Sequence, residues 1–465
     1  MTDDVSRRAF IKRASALSLA GVATPLVTSL AAIGEAAAAG TPSDYKALVC
    51  VFMYGGNDYA NTLVPYDNAR YATYQSNRSA IALAQAALTP TLLNPSLALP
   101  GGAQYALAPP LSPLLPVFNA GKMAVALNLG TLVQPTTKAQ YQAGSVPLPP
   151  KLLSHNDQQS YFQASSPEGA TSGWGGRIGD LFQAGNGTAT TTCMNVSGNA
   201  VFLTGKAAVQ YSVTTAGPIG LTARTTLQGS AAASTMLQNL LRGAGTAHLM
   251  ESAVGQIGTR ALDLYSLVSG ALAQAPVTTT VFPAAADPSS SLGAQLAMVA
   301  KLISVSSQLG AKRQVFFVST GRFDNHDEIP TLHPLLQQNL ADAMRAFHDT
   351  TVELGVSSQV TTFTASDFGR ALTSNDDGSD HGWGSMHFVM GGAVRGGRYY
   401  GVNPVIMNNG PDDIGQGRLL PTMSVDQYAA TLASWFGVPD SRMAEVVPNI
   451  GNYVGSALGT NVGFV

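Results

Sequence analysis

A chain of 465 residues, 45% hydrophobic and only 11% charged, has room for one large domain or two ordinary ones and is too apolar for global disorder. Its formal net charge of −2 and its lack of a long basic run exclude the electrostatic footprint of a nucleic-acid binder. A surface rich in Gly, Ala, Ser and Thr but poor in charge fits an exported bacterial protein.

The N-terminus reads MTDDVSRRAFIKRASALSLAGVATPLVTSLAAIGEAAAAG. Ser6-Arg7-Arg8-Ala9-Phe10-Ile11-Lys12 matches the twin-arginine export consensus, and a modestly apolar stretch from Ala16 to Gly34 follows it. Pro25 interrupts that stretch and Ala36–Ala39 offer small residues at cleavage spacing, which argues against a membrane-spanning helix. Residues 1–40 are therefore expected to be an export signal read by the twin-arginine translocation machinery. The mature chain, 41–465, is then periplasmic or secreted, with no membrane segment. That route carries folded proteins, often with a metal already loaded.

Past the signal, Tyr45 to Tyr54 is continuously apolar and stops at Gly55-Gly56-Asn57-Asp58, the pattern of a strand buried on both faces. Further strands are expected at Met123–Leu129, Gln314–Ser319, Val360–Ala365 and Phe388–Val394, the last followed by a Gly396-Gly397 turn. Helical spacing covers Leu292–Leu309 and Leu335–Leu354, each just ahead of a strand, which predicts an α/β fold with right-handed crossovers. Ser424 caps a docking helix to Phe436. Residues 182–292 are less regular and read as an inserted cap on a single domain, not as a domain of their own. Cys50 lies in the first strand, so a buried inert thiol is the better reading than a disulfide with Cys193.

Ligands of open α/β sheets collect beyond the carboxyl ends of the strands. Asp58 follows the first strand, Asp324 and His326 the third, and Asp367 the fourth; His333 and the pair Asp380-His381 lie close by in sequence. Five of the seven histidines fall between 326 and 387. Carboxylates and imidazoles from several loops are the ligand mixture of zinc, manganese or iron. Each has a bland alternative. Asp58 suits a turn, Asp324 and His326 suit a helix cap, and His333 precedes Pro334 at a helix start. His348 and His387 read as packing, Asp380 as a partner orienting His381, and Trp174 as packing on the sheet. Ser154, in PPKLLSHN, is either a helix cap or an alcohol activated by a metal. Arg370 either binds a substrate anion or pairs with Asp367.

Taken in order, SRRxFIK, GGND, SHN, GWGGR, RQVFFVSTGRFDNH, SDFGR, GSDHGWG, GGAVRGG and SVDQYAATLASWF resemble the twin-arginine-exported family of domain of unknown function 1501. That family in turn resembles the alkaline phosphatase and sulfatase superfamily. The resemblance implies an alkaline-phosphatase-like, mostly parallel sheet sandwiched between helices. It also implies one or two divalent ions (zinc, manganese, calcium or iron). One ion would take Asp58, Asp367 and the oxygen of Ser154 as nucleophile; the other would take Asp324, His326 or His333, and His381. Two positions depart from the pattern: Phe368 stands where a histidine often follows the aspartate, and Glu328 stands where a histidine often lies four residues after Asp324. The implied function is a metal-dependent hydrolase of anionic phosphate or sulfate esters. The alternative is an inactive phosphatase-like scaffold serving as a binding or assembly protein.

Overall fold

The computed structural model describes residues 44–222, 224–243 and 249–465; the export signal read at residues 1–40 lies outside them. Strand β1, Lys46–Met53, runs through the centre with every residue after Lys46 buried. Val49, Val51 and Met53 enter one apolar layer, while Leu48, Cys50 and Phe52 enter the other. That two-sided burial is what the unbroken apolar run predicted.

The remaining main strands are β2 (Met123–Gly130), β3 (Cys193–Asn195), β4 (Tyr211–Thr214), β5 (Arg313–Thr320), β6 (Val360–Ser366) and β7 (Ser385–Gly391). β5 and β6 flank β1 in parallel, with Met53 in register with both Thr320 and Ser366. Three strands thus end at one level, and the loops after them emerge side by side. β7 then pairs antiparallel with β6, and β2 antiparallel with β7. On the other side β3 and β4 continue the sheet in parallel from β5.

Helices α1 (His155–Ala164), α2 (Trp174–Phe182), α3 (Leu292–Ser304), α4 (Ile329–Glu353) and α5 (Val425–Phe436) supply the outer layers. Leu296 of α3 and Leu340 of α4 pack with Val49 and Val51, whereas Ile178 of α2 and Leu432 of α5 pack with Leu48 and Phe52. The sheet is therefore mixed, mostly parallel and sandwiched between helices, as expected. α5 starts in a capping box: Ser424 Oγ accepts from Gln427 N at 3.0 Å, and Gln427 Oε1 accepts from Ser424 N at 3.0 Å. Trp174 does pack on the sheet, its ring 5.3 Å from that of Phe363.

Some boundaries differ from the sequence reading. β7 begins at Ser385 rather than Phe388, because Ser385 and His387 still pair with Leu129 and Ala126 of β2. α4 begins at Ile329, six residues early, since Pro330 is compatible with a first turn. Within 182–292, β3 and β4 join the main sheet, and a helix over Leu249–Leu272 sends Val268 and Ala271 into the core. Cys50 and Cys193 are both buried and free. No described helix is long and apolar enough to cross a membrane.

His387 is a packing residue. It is 1% exposed, its Nδ1 lies 3.2 Å from Thr364 Oγ1, and its ring lies 5.7 Å from that of Phe162. Burial pushes its pKa down to about 3. An unfolded histidine titrates near 6.5. The stability contributed by neutral His387 is thus complete above about pH 6.5 and is lost progressively as pH falls toward about 3. Thermal melts should show a His387→Gln variant losing about 2–3 kcal/mol less than wild type between pH 7 and pH 4.5. Parallel pH profiles for the two proteins would contradict this.

Candidate metal centre

The loops at the carboxyl edge of β1, β5 and β6 meet the start of α1. Gly55 follows β1 at φ +116°, and a Cβ there would lie 2.3 Å from the backbone nitrogen of Asp324. Glycine is what allows the first loop to press against the third. His155 opens α1, Asp324 follows β5, and His381 closes the hairpin strand Gly378–His381.

The geometry assigns the tautomers. His155 Nδ1 lies 2.6 Å from Asp367 Oδ2, a carboxylate that can only accept, so Nδ1 carries the proton. His381 Nδ1 lies 2.8 Å from the carbonyl of Leu153, so it too is protonated. In the neutral rings both Nε2 atoms therefore present lone pairs. Those atoms are only 3.1 Å apart. Asp324 completes the group, with Oδ2 3.2 Å from His155 Nε2 and Oδ1 3.1 Å from His381 Nε2. His326 Nε2 stands 3.0 Å from His381 Nε2 and 3.1 Å from Asp324 Oδ1.

Three acceptors aimed at one point repel unless a cation or a proton lies between them. His155, Asp324 and His381 each offer one ligand atom, all within 4.8 Å of one another. A ligand imidazole typically donates its other N–H to a carboxylate or a carbonyl, the arrangement found at both rings here. The donor set thus fits a divalent ion.

The electrostatics are uneven. The hydrogen bond to Asp367 raises the pKa of His155, against the effect of burial. Burial lowers that of His381. For Asp324 burial acts upward, but the hydrogen bond and charge of Arg370, with the charges of His155 and His326, together outweigh it and hold the carboxyl below its usual range.

Of the residues singled out from sequence, Asp324, His326 and His381 come together. Asp367 reaches the cluster through His155; its Oδ2 also accepts from Gly55 N at 3.1 Å and Gln159 Nε2 at 2.9 Å. Asp367 Oδ1 is buried with no hydrogen-bond partner. Arg370 is fully buried and pairs with Asp324 rather than Asp367, Nη1 donating to Oδ1 at 2.6 Å and to the Gly55 carbonyl at 3.2 Å. Its Nη2 donates to the Ser379 carbonyl. Ser154 precedes α1 without capping it, its Oγ donating to Asp157 Oδ2 at 2.8 Å. Asp380 sits beside His326, 3.6 Å from its Nδ1, rather than orienting His381.

Asp58 and His333 do not join the cluster. The carboxylate of Asp58 is buried against the guanidinium of Arg78, with Nη1 to Oδ1 at 2.9 Å and a second contact from Nη2 to Oδ2. Its Oδ1 also accepts from Ala60 N, the turn role that was its alternative. His333 Nε2 lies 3.2 Å from Asn57 Oδ1, and burial pushes its pKa down to about 4. Sequence reasoning passed over His155 and Gln159. The SHN triplet was the available signal, but attention fell on its serine. Phe368, one of the two departures from the superfamily pattern, packs against His155 and His381 with ring centroids at 4.8 and 4.7 Å.

The chain belongs to the family described as protein of unknown function DUF1501, whose profile matches residues 45–447. Among solved structures it is similar to the PsFucS1 sulfatase from Pseudoalteromonas sp., at 11% identity and a TM-score of 0.33 over 88% of this chain and 71% of that one. It is also similar to Ps i-CgsB in complex with k-i-k-neocarrahexaose (9% identity, TM-score 0.33, 88% and 77% covered). A third is a protein from a Bacteroides thetaiotaomicron locus for glycosaminoglycan metabolism (10% identity, TM-score 0.32, 86% and 74% covered). No curated protein matches.

Arg78 and Asp58 form a support separate from the cluster. Arg78→Ala should lower stability by about 3–5 kcal/mol in urea titrations, because it leaves a buried carboxylate unpaired. An Arg78→Met, Asp58→Leu double variant should recover most of that loss. A small effect of Arg78→Ala would show that the pair is not needed.

Proposed function

We propose that this protein is an exported, metal-dependent hydrolase of phosphate or sulfate esters on an alkaline-phosphatase-like scaffold. His155, Asp324 and His381 would hold the divalent ion, with His326 beside them. The observation that carries the reading is the pair of Nε2 lone pairs 3.1 Å apart next to a carboxylate, each ring held by a hydrogen bond at its far nitrogen. Two imidazoles and a carboxylate favour zinc, manganese or iron over calcium, which prefers an all-oxygen shell.

When bound, such an ion supplies Lewis acidity that polarises an ester oxygen and eases deprotonation of a neighbouring hydroxyl. The chain's own residues do the rest. Ser154 is the candidate nucleophile, and buried Asp157, already accepting its proton at 2.8 Å, is the base. The backbone N–H groups of residues 155–157 open α1 with no acceptor among the described residues, which makes them candidate donors for anionic ester oxygens. Arg370 holds Asp324 in place, and Asp367 and the Leu153 carbonyl hold the two rings. Phe368 keeps water from one side of them.

A binding or assembly protein with a structural metal is the second reading. It is favoured by Arg370, whose Nη donors are all directed into the protein and leave none for a substrate anion.

Elemental analysis of protein purified without chelator should find one equivalent of metal in wild type. His155→Ala and His381→Ala should abolish binding, Asp367→Ala should weaken it about 10–100-fold, and Asp58→Asn should leave it unchanged. A folded wild type without metal, or metal indifferent to both histidine changes, would sink the site. With the metal present, Ser154→Ala should slow hydrolysis of 4-nitrophenyl phosphate or sulfate at least about a hundredfold while keeping the ion. Metal without hydrolysis of either ester would select the second reading.

A further inference from the structure

Beside the cluster lies a cleft of about 710 Å³ that the proposed chemistry does not use. Its walls come from the ends of β3, β4 and β5 and from the loop 287–291 ahead of α3, so it opens on the same sheet edge as the cluster. Arg322 lines it two residues before Asp324, a backbone separation of at most about 7 Å.

Nine of the seventeen residues that line it carry a hydroxyl, beside Val196, Val213 and Ile219. Ser212, Thr215 and Ser319 have no hydrogen-bond partner for their side-chain oxygens among the described residues, and Ser291 Oγ accepts from Gln295 Nε2 at 2.8 Å, leaving its proton free. A hydroxyl both donates and accepts, so such a wall complements ligand oxygens that do the same. Among the described residues no aromatic side chain lines the cleft, so a flat apolar ligand gains little there.

The charges agree. Asp287 is buried and paired with Arg322 Nη1 at 2.8 Å, so the two largely neutralise each other. Arg322 Nε and Nη2 have no acceptor among the described residues, and a guanidinium edge of that kind donates to two adjacent oxygens. Arg322 is held at φ +71°, a costly conformation for a non-glycine residue, with its carbonyl accepting from Asn325 Nδ2 at 3.0 Å.

We infer that this cleft binds a polyhydroxylated, carbohydrate-like group, the alcohol portion of the ester whose anion would sit at the cluster; the inference rests on the hydrolase reading. A glycan array of neutral, phosphorylated and sulfated saccharides tests it, with the strongest hits repeated on three variants. Thr215→Trp, an exposed position, blocks the mouth without disturbing the core, and Arg322→Ala removes the open guanidinium edge. Binding is expected in wild type, retained for neutral glycans in His381→Ala, and reduced at least tenfold in Thr215→Trp and Arg322→Ala. Thr215→Trp should leave hydrolysis of 4-nitrophenyl esters unchanged and raise KM at least tenfold for a glycan ester. No glycan bound by folded wild type, or binding unaffected by both cleft variants, overturns the inference. Hydrolysis of the nitrophenyl esters with no glycan hit overturns the cleft alone. Cleft-dependent glycan binding without any ester hydrolysis supports the cleft and overturns the hydrolase.

Discussion

The hydrogen bond from His155 Nδ1 to the buried carboxylate of Asp367 does more than orient one ring. It places the proton on the far nitrogen, and the Leu153 carbonyl does the same for His381, so the near nitrogens must face each other as bases. Around that constraint the neighbouring interactions become coherent. Gln159 and the Gly55 amide hold Asp367, Arg370 holds Asp324, and Phe368 packs on both rings. Each removes a degree of freedom from a group that would otherwise move away from its like-natured neighbours.

The frame beneath is the shared register of three parallel strands. Met53, Thr320 and Ser366 end level, so the loops after β5 and β6, far apart in sequence, each start one strand spacing from the loop after β1. β7 runs the other way and begins at the same edge, which brings the His381 hairpin in from the opposite chain direction. His155 reaches the same cluster from a helix on another connection.

Polar groups that the sequence pattern grouped together divide into two sets by burial. Asp58 and His333 lie where water is excluded, and each is satisfied by a protein partner, Arg78 and Asn57. Asp324, His326 and His381 stay partly exposed, at the rim where a ligand could arrive. The hydroxyl-lined cleft continues that rim beyond Arg322.

By itself the sequence determined the layers. Continuous apolar runs of strand length read as strands covered on both faces, and apolar residues at helical spacing named the helices that cover them. It also located Asp324, His326 and His381, because charge and imidazole just past a strand end stand out in a chain so poor in charge. Strand ends were less legible where polar residues such as Ser385 and His387 continue the pairing, since the ladder is made by backbone and not by side-chain type. Only the tertiary structure decided which acids face an arginine and which face an imidazole. Asp58 and Asp367 both follow a buried strand, yet Arg78, twenty residues from Asp58, claims one, and His155, more than two hundred residues from Asp367, claims the other. Such partners are set by distances across the fold, to which spacing along the chain is blind.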